Sequence, residues 1–141
     1  MTPKTPANPL YITTNEELNH LCILLSQEDI ICMDTEFMRI DTYFPRLCLI
    51  QIATSSDIAL VDPLAEGIDL EPLWQILEDP TKCKVLHSCR QDLEIFYYTR
   101  GKLPENIFDT QVAAMLCGLG DTMSLESLVA LACNVNMDKT Q

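Results

Sequence analysis

The sequence lacks any apolar run that approaches the roughly 20 residues needed to cross a bilayer as a helix, which argues against a membrane-spanning segment. Its first residues, M-T-P-K-T-P-A-N-P, contain three prolines and none of the hydrophobic core that a secretory signal peptide carries. We therefore expect residues 1–10 to form a flexible lead-in and residues 11–141 to form the domain. We also expect the protein to be cytoplasmic and to have no membrane partner.

The sequence also lacks a C-x-x-C pair, although it contains seven cysteines. These cysteines are scattered, mostly inside apolar segments, and their number is odd. Buried, reduced thiols fit this distribution better than a disulfide framework or a zinc site does.

Basic residues are scarce, with nine lysines and arginines against 21 aspartates and glutamates, and the net charge is −12. A protein that coats nucleic acid through a broad positive surface is therefore disfavoured. An enzyme that meets phosphate groups through bound metal at one acidic spot remains compatible with this charge. The 141 residues, 48% of them hydrophobic and 21% charged, indicate one globular domain that is large enough to bury a core.

Two acidic residues end an apolar run over residues 30–37, which reads I-I-C-M-D-T-E-F. Strand side chains alternate between faces with a period of two, so Asp34 and Glu36 are expected on the same face. Like charges this close repel each other and favour a cation between them, for which Mg²⁺ or Mn²⁺ suits hard oxygen ligands best. The alternative is a strand that simply ends in polar residues, and this is the commoner explanation of an isolated D-x-E.

Apolar runs bounded by turn residues predict the strands of a sheet. They cover residues 30–37, 47–54, 58–61, 84–87 and 107–109. Tyr11 and Ile12 could make a further short strand. Strands 30–37, 47–54 and 58–61 have short connections, which indicates an antiparallel meander. The order of the elements predicts an α/β fold with a mixed five-stranded sheet flanked by helices.

Helical periodicity predicts the remaining elements. The helices cover residues 15–27, 70–79, 90–100, 110–117 and 125–133. Thr14 and Glu17 have the spacing of a capping box before the first helix, and Ser88 and Gln91 have it before the third. Three side chains of the third helix are expected to pack inward: Leu93, Phe96 and Tyr97.

A third carboxylate, Asp92, lies one turn into the helix that follows strand 84–87. In a mixed sheet this strand can neighbour strand 30–37, which would bring Asp92 within reach of Asp34 and Glu36. Three converging carboxylates could hold the two metal ions of a phosphodiester hydrolase. The alternative is an acid that interacts with the helix dipole, worth roughly 0.3–1 kcal/mol, and spacing alone favours this alternative.

Two segments carry a resemblance to a known family. M-D-T-E-F, followed by Y-F-P-R-L-C-L-I-Q-I, resembles the first exonuclease motif of ribonuclease D, and K-V-L-H-S-C-R-Q-D-L-E-I-F resembles the second. The segments D-P-L and I-F-D-T-Q-V-A-A match the same family, and the resemblance covers about residues 15–141. It implies a ribonuclease H-like fold and metal-dependent removal of nucleotides from RNA 3′ ends, such as those of tRNA precursors. It also implies that Asp34, Glu36 and Asp92 are catalytic and bind Mg²⁺ or Mn²⁺, with two ions in a complete site.

The sequence departs from this family in its third motif. That motif carries a tyrosine that positions the water and a fourth metal-binding aspartate, and it lies downstream of a D-K-x-x-Q-like segment, whereas this sequence stops in D-K-T-Q. We therefore expect an incomplete active site and little or no activity from residues 1–141. A non-catalytic RNA- or protein-binding domain with the same fold is the main alternative. A phosphatase with an aspartate nucleophile ranks low, because such sites favour D-x-D followed by Gly-Thr.

Five further residues have both a functional and an ordinary explanation. Asp109 opens a helix, and we expect an N-cap rather than a metal ligand. His87 is either a substrate-binding residue or a satisfied histidine at the edge of the core. Three residues that follow the acidic strand could contact the terminal nucleotide by stacking and phosphate pairing, or could simply belong to a surface loop: Arg39, Tyr43 and Arg46.

Overall fold

The computed structural model describes residues 8–39 and 43–137, which form an α/β domain with one mixed sheet. The strands are β1 (Leu10–Ile12), β2 (Ile30–Met38), β3 (Arg46–Ala53), β4 (Ile58–Val61), β5 (Cys83–Leu86) and β6 (Ile107–Asp109). The helices are α1 (Asn15–Ser26), α2 (Glu71–Glu78), α3 (Arg90–Arg100), α4 (Thr110–Leu116) and α5 (Leu125–Cys133). No helix in this part of the chain combines the length and the apolar character that a membrane crossing requires.

The sheet has the strand order β1-β4-β3-β2-β5-β6. Strands β2, β3 and β4 form the predicted antiparallel meander. The expected number of five strands is wrong, because the short strand β1 pairs in parallel with β4 and makes six. This strand is anchored by Ile12, which is buried in the core. Leu10, the last residue of the predicted lead-in, thus begins β1, and residues 1–7 of that lead-in lie outside the described part of the chain.

Strands β2 and β5 are parallel neighbours, as expected from the sequence. Their pairing runs from Ile30 opposite Cys83 to Cys32 opposite Val85 and then stops. Because the two strands run in the same direction, the end of β2 and the start of α3 meet at one edge of the sheet. This relationship positions the candidate site.

The core lies between one face of the sheet and the helices α1, α2 and α3. Its largest helical contributions come from buried side chains at Leu18, Leu21, Leu25, Leu73, Trp74, Leu77 and Phe96. Trp74 packs edge-to-face on Phe96, with 5.2 Å between the ring centroids. The opposite face of β2 is exposed, and it carries Ile30 and Cys32 ahead of the two acidic residues.

Local capping signals explain the starts of two helices. Thr14 and Glu17 form the predicted capping box, in which the Thr14 hydroxyl accepts from the Glu17 N–H and the Glu17 carboxylate accepts from the Thr14 N–H. Ser124 caps α5 by accepting from the N–H of Ser127 at 3.2 Å. Both caps satisfy N–H groups that the first turn of a helix leaves without a partner.

The predicted cap of α3 is wrong. Ser88 has a left-handed backbone with φ 56°, and Cys89 occupies the cap position without a side-chain hydrogen bond. The reason is a longer-range contact, since the carboxylate of Asp109 accepts from the N–H groups of both residues at 2.9 Å. These bonds hold the turn in a conformation that a serine cap could not adopt.

The inward face of α3 also differs from the prediction at one position. Tyr97 is 56% exposed, whereas Ile95 and Phe96 are buried together with Asp92. Asp92 and Phe96 are four residues apart and therefore share a face of the helix. The face that meets the core is thus set by these two residues, and Tyr97 lies beside it.

Two lysines are buried at the ends of α1 and α2. The ammonium of Lys82 donates to the carbonyls of Ser26 and Glu28 at 2.9 and 2.8 Å. Lys84 is fully buried, and its ammonium donates to the carbonyls of Asp79 and Lys82 at 2.8 and 2.7 Å. Both cations satisfy carbonyl groups that follow helix ends and are therefore unavailable to a ligand.

Candidate active site

Asp34 and Glu36 lie on the exposed face of β2, as the period of two predicts. The side chains between and before them, Met33 and Thr35, point to the other face and are buried. Asp34 is opposite Gln51 of β3, and the register of the β2–β3 pair shifts directly after Glu36. The two carboxylates are therefore presented to solvent by a strand whose other face is fixed in the core.

Asp92 reaches β2 from the first turn of α3. Its Oδ1 accepts two hydrogen bonds from Thr35, one from the backbone N–H at 3.2 Å and one from the hydroxyl at 2.5 Å. This is possible because β5 stops pairing with β2 at Cys32. The side chain of Asp92 thus takes the place beside β2 that a longer β5 would occupy, and it is only 6% exposed.

The electrostatics of this contact couple Asp92 to Asp34. Burial raises the pKa of Asp92, and the negative charge of Asp34 raises it further, while the hydrogen bonds from Thr35 act in the opposite direction. Asp34 and Asp92 are therefore close enough to repel each other. A cation bound between them would relieve this repulsion.

The donor set fits a divalent cation chemically, since all three side chains supply hard carboxylate oxygens. The coordination sphere is not assembled in advance, however. Across residues 8–39 and 43–137 no group of three or more His, Cys, Asp or Glu side chains has an arrangement that could hold a metal ion. Asp34 and Glu36 are exposed, whereas Asp92 is held by Thr35. Binding of an ion would therefore require movement mainly of the Asp34 and Glu36 side chains.

Asp109 is the predicted N-cap of α4, and the structure confirms it. Its carboxylate accepts from the N–H of Gln111 at 2.8 Å, and it also accepts from the N–H groups of Ser88 and Cys89. Burial alone would raise the pKa of Asp109, but these N–H donors outweigh burial and lower the pKa to about 2. The carboxylate is engaged in joining the β5–α3 turn to α4, which favours a structural role over a metal ligand.

His87 has both ring nitrogens engaged. Its Nδ1 lies 2.8 Å from the hydroxyl of Thr110, and its Nε2 lies 3.0 Å from the carbonyl of Met123. A histidine bonded on both sides is a satisfied residue at the edge of the core. This geometry favours the ordinary explanation of His87 over contact with a substrate.

Two of the three candidate substrate residues lie close to the acidic strand. Arg39 forms a salt bridge with Glu94 of α3 at 3.2 Å, and its guanidinium carbon lies 5.8 Å from the centre of the Phe37 ring. Arg46 begins β3 opposite Met38 and is exposed. The salt bridge ties the segment after β2 to the helix that carries Asp92. Tyr43 is 85% exposed.

Sequence reasoning missed two residues that organise this region, Thr35 and Glu94. Thr35 lies between the two acids of the D-T-E segment, so its N–H necessarily points along the sheet towards a neighbouring element. Glu94 is four residues after Arg90, the spacing of a helical ion pair, and the two charged groups are 3.8 Å apart. The i, i+4 pattern was a usable signal, whereas the contact of Thr35 depends on where β5 ends.

Comparison with known proteins identifies the family. A family model described as 3′–5′ exonuclease matches residues 9–141. The chain belongs to the 3′–5′ exonuclease family. Among the relatives of this chain is the ribonuclease D of Gluconacetobacter diazotrophicus, which is 48% identical over 132 residues, or 94% of this chain and 34% of that protein. The chain therefore spans about a third of the length of the curated relatives it matches, and the resemblance to ribonuclease D is confirmed.

Solved structures agree with this assignment. The chain superposes on Escherichia coli RNase D, an exoribonuclease involved in structured RNA processing, with a TM-score of 0.87 and 40% identity over 95% of this chain and 36% of that one. It also matches the Trypanosoma brucei RNase D solved in complex with RNA U12, with a TM-score of 0.80 and 21% identity over 91% of this chain and 48% of that one. The second likeness concerns the fold alone. The predicted ribonuclease H-like α/β fold is therefore confirmed.

Proposed function

We propose that this chain is the exonuclease module of a longer, ribonuclease D-like protein that hydrolyses RNA from the 3′ end. The observation that carries the proposal is the contact of Asp92 with Thr35 inside the D-T-E segment. It brings a third carboxylate to the end of β2, next to Asp34. The family match supports the reaction class, and exonucleases of this family are metal-dependent.

Asp34, Glu36 and Asp92 are the residues that would hold the ions, which we infer to be Mg²⁺ or Mn²⁺. When bound, two such ions lower the pKa of the attacking water and stabilise the leaving oxygen of the phosphodiester. Thr35 has a positioning role, because its hydroxyl and N–H fix the orientation of the Asp92 carboxylate. Asp34 and Glu36 keep the exposed positions from which they can meet both ion and substrate.

We further infer that the substrates are RNA 3′ ends, including those of tRNA precursors, and that the protein acts in the cytoplasm. Arg39, Tyr43 and Arg46 are proposed to contact the terminal nucleotide by phosphate pairing and stacking. His87 is left out of this set, because both of its ring nitrogens already have partners.

A specific observation favours a second candidate, a binding domain without turnover. No metal cluster is preassembled within the part of the chain that the structure describes. Titration with Mn²⁺, followed by electron paramagnetic resonance, separates the two functions. A nuclease module binds Mn²⁺ through Asp34, and Asp34→Asn weakens this binding, whereas a pure binding domain shows no such dependence.

Activity is tested by comparing residues 1–141 with a longer version that includes the segment following them in the relatives. Single-stranded RNA with a 5′ label and Mg²⁺ or Mn²⁺ reports trimming from the 3′ end. We expect stepwise trimming by the longer version and little or none by residues 1–141, which do not include the tyrosine and the fourth aspartate of the family's third motif. When catalytic groups act as a unit, removal of one abolishes most of the rate. Asp34→Asn in the longer version should abolish trimming, while the exposed Asp121→Asn should not. Equal trimming by both lengths would contradict the site assignment.

A further inference from the structure

Four of the aromatic side chains form an exposed patch beside the acidic strand. We define the aromatic patch as Tyr43, Phe44, Tyr97 and Tyr98. The ring centroids of Phe44 and Tyr98 are 4.9 Å apart, those of Tyr43 and Phe44 are 5.2 Å apart, and those of Tyr97 and Tyr98 are 6.4 Å apart. Each ring is about half exposed or more, from 49% for Tyr98 to 85% for Tyr43. Three of the four tyrosines in the sequence therefore lie on one small surface.

The aromatic patch is attached to both elements that carry the acidic residues. Tyr43 and Phe44 precede β3 in the segment that leaves β2, and Tyr97 and Tyr98 belong to α3, which carries Asp92. Glu94 joins the two sides, because it pairs with Arg39 at 3.2 Å and with Arg90 at 3.8 Å. The aromatic patch therefore borders the elements that carry the acidic residues.

The distribution of positive charge singles out the same surface. The described part of the chain contains seven lysines and arginines. Four of them are engaged with carbonyl groups or with Glu71 and Glu78: Lys82, Lys84, Arg100 and Lys102. The other three lie around the aromatic patch: Arg39 and Arg90, which share the single carboxylate of Glu94, and Arg46, which begins β3. In a chain with a net charge of −12, these three arginines give a polyanion a local source of attraction.

From these observations we propose that the aromatic patch binds single-stranded RNA, with Tyr43 at the terminal nucleotide and Phe44, Tyr97 and Tyr98 at the nucleotides on its 5′ side. Unpaired bases stack on exposed aromatic rings, and arginines pair with the phosphates between them. The proposal rests on the proposed function, because hydrolysis from the 3′ end determines which end of the RNA lies in the acidic site. Hydrolysis at the 3′ end requires that the rest of the RNA leaves the acidic site over an adjacent surface, and the patch supplies both rings and cations there.

The test is fluorescence anisotropy with 5′-labelled oligouridylates of two nucleotides and of about eight nucleotides, a length within the usual site sizes. EDTA is present so that no hydrolysis interferes. We expect Tyr97→Ala and Tyr98→Ala each to weaken binding of the longer RNA at least about fivefold, since stacking is worth roughly 1–3 kcal/mol per base. The dinucleotide should occupy the terminal position beside Tyr43 and not depend on Tyr97 or Tyr98, so its affinity should not change in these two variants. Tyr98→Phe keeps the ring and should bind the longer RNA like the wild type.

Matched controls come from the same chain. Tyr11 is 68% exposed on β1, at the opposite edge of the sheet, so Tyr11→Ala should leave RNA affinity unchanged. Arg90→Gln should reduce the slope of log affinity against log salt by about 0.7, the value for one phosphate on a single strand. Lys102 is paired with Glu78, and Lys102→Gln should leave the slope unchanged.

Equal affinity of the wild type and both tyrosine variants for the longer RNA would overturn the proposal, as would an equal loss in Tyr11→Ala. Failure of the proposed function has a different signature. If the longer version retains trimming in Asp34→Asn while octanucleotide binding still depends on Tyr98, the acidic site is misassigned and the RNA surface stands. If Asp34→Asn abolishes trimming but the tyrosine variants bind the longer RNA normally, the acidic site is correctly assigned and the aromatic patch does not bind RNA.

Discussion

The carboxylate of Asp92 on α3 is bonded to Thr35 on β2 through both the backbone N–H and the hydroxyl of the threonine. Thr35 separates the two exposed acids, so one residue links all three carboxylates. Its side chain is buried although its neighbours Asp34 and Glu36 are exposed. A buried hydroxyl therefore controls the orientation of an acid on which the proposed chemistry depends.

Thr35→Val should lower the free energy of unfolding by roughly 1–3 kcal/mol at neutral pH, because a buried carboxylate loses a hydrogen-bond donor. Burial already holds the pKa of Asp92 above its usual value of 3.8. A raised carboxyl pKa destabilises the fold above that pKa, and this loss disappears as pH falls below the unfolded value. The penalty of Thr35→Val should therefore shrink towards pH 4 in urea unfolding. Thr35→Ser keeps the hydroxyl and should retain most of the stability. A loss of unfolding free energy as large as that of Thr35→Val would contradict the role of the hydroxyl as a donor to Asp92.

Asp34→Asn should leave thermal stability without metal unchanged or raise it, because it removes a charge that repels Asp92. The affinity of the variant for Mn²⁺ should fall by roughly tenfold or more, as expected when a metal site loses one of its carboxylate groups. Calorimetry in EDTA and a Mn²⁺ titration measure the two effects. The exposed Asp121→Asn serves as the control for both. A large loss of stability without metal would show that Asp34 has a structural role instead.

Asp109→Ala should cost roughly 1–2 kcal/mol at pH 7, the upper part of the range for a helix cap. The pKa of Asp109 is about 2 in the folded protein, below its ordinary value of 3.8. Its stabilising effect is therefore complete above the unfolded pKa and is lost as pH falls from about 4 to about 2. Urea unfolding of the wild type and the variant over this range measures the difference.

A second readout of Asp109→Ala is the reactivity of Cys89. Burial and the hydrogen bond to Asp109 raise the pKa of this thiol to about 12. Alkylation of Cys89 at pH 8 should be slow in the wild type and faster in the variant, while Mn²⁺ affinity should be almost unchanged. If Mn²⁺ affinity falls as far as it does in Asp34→Asn, Asp109 is a metal ligand.

Lys84→Met should destabilise the protein by roughly 1–3 kcal/mol at neutral pH, because two carbonyl groups lose their donor. Burial lowers the pKa of Lys84 below its usual value of 10.5. The wild type therefore gains stability relative to the variant as pH rises from the folded pKa to 10.5, and the difference should widen in that range. Unfolding curves at pH 7 and pH 10 measure it. Lys102→Met, on the surface, should show neither effect.

Much of the fold was predictable because its signals act over a few residues. Thr14 and Glu17 form their capping box within one helical turn, and β4 has the boundaries that its apolar run predicts. Ser88 had the same local signal and does not cap, because Asp109, 21 residues away, binds its N–H instead. A short strand at Tyr11 and Ile12 was a local possibility, but its pairing with β4 and the exposure of Tyr97 depend on contacts that no local pattern encodes.

The site was predictable to the level of which elements meet. A period of two placed Asp34 and Glu36 on one face, and the parallel pairing of β2 with β5 brought α3 to the same edge of the sheet. The role of Thr35 was not predictable, since periodicity states only that it faces the core. Its bond to Asp92 exists because the pairing of β5 with β2 stops at Cys32, a feature of tertiary structure.

The turn between β5 and α3 has a consequence for insertions and deletions. Only residues 87–89 separate the two elements, and each is held: His87 by Thr110 and Met123, Ser88 and Cys89 by Asp109. An α-helix turns about 100° per residue. One residue added here would either break these bonds or shift the start of α3 by one residue, and such a shift would rotate Asp92 by that angle away from Thr35. The length of this turn thus sets the rotational phase of α3, and with it which side chain of the helix faces the acidic strand.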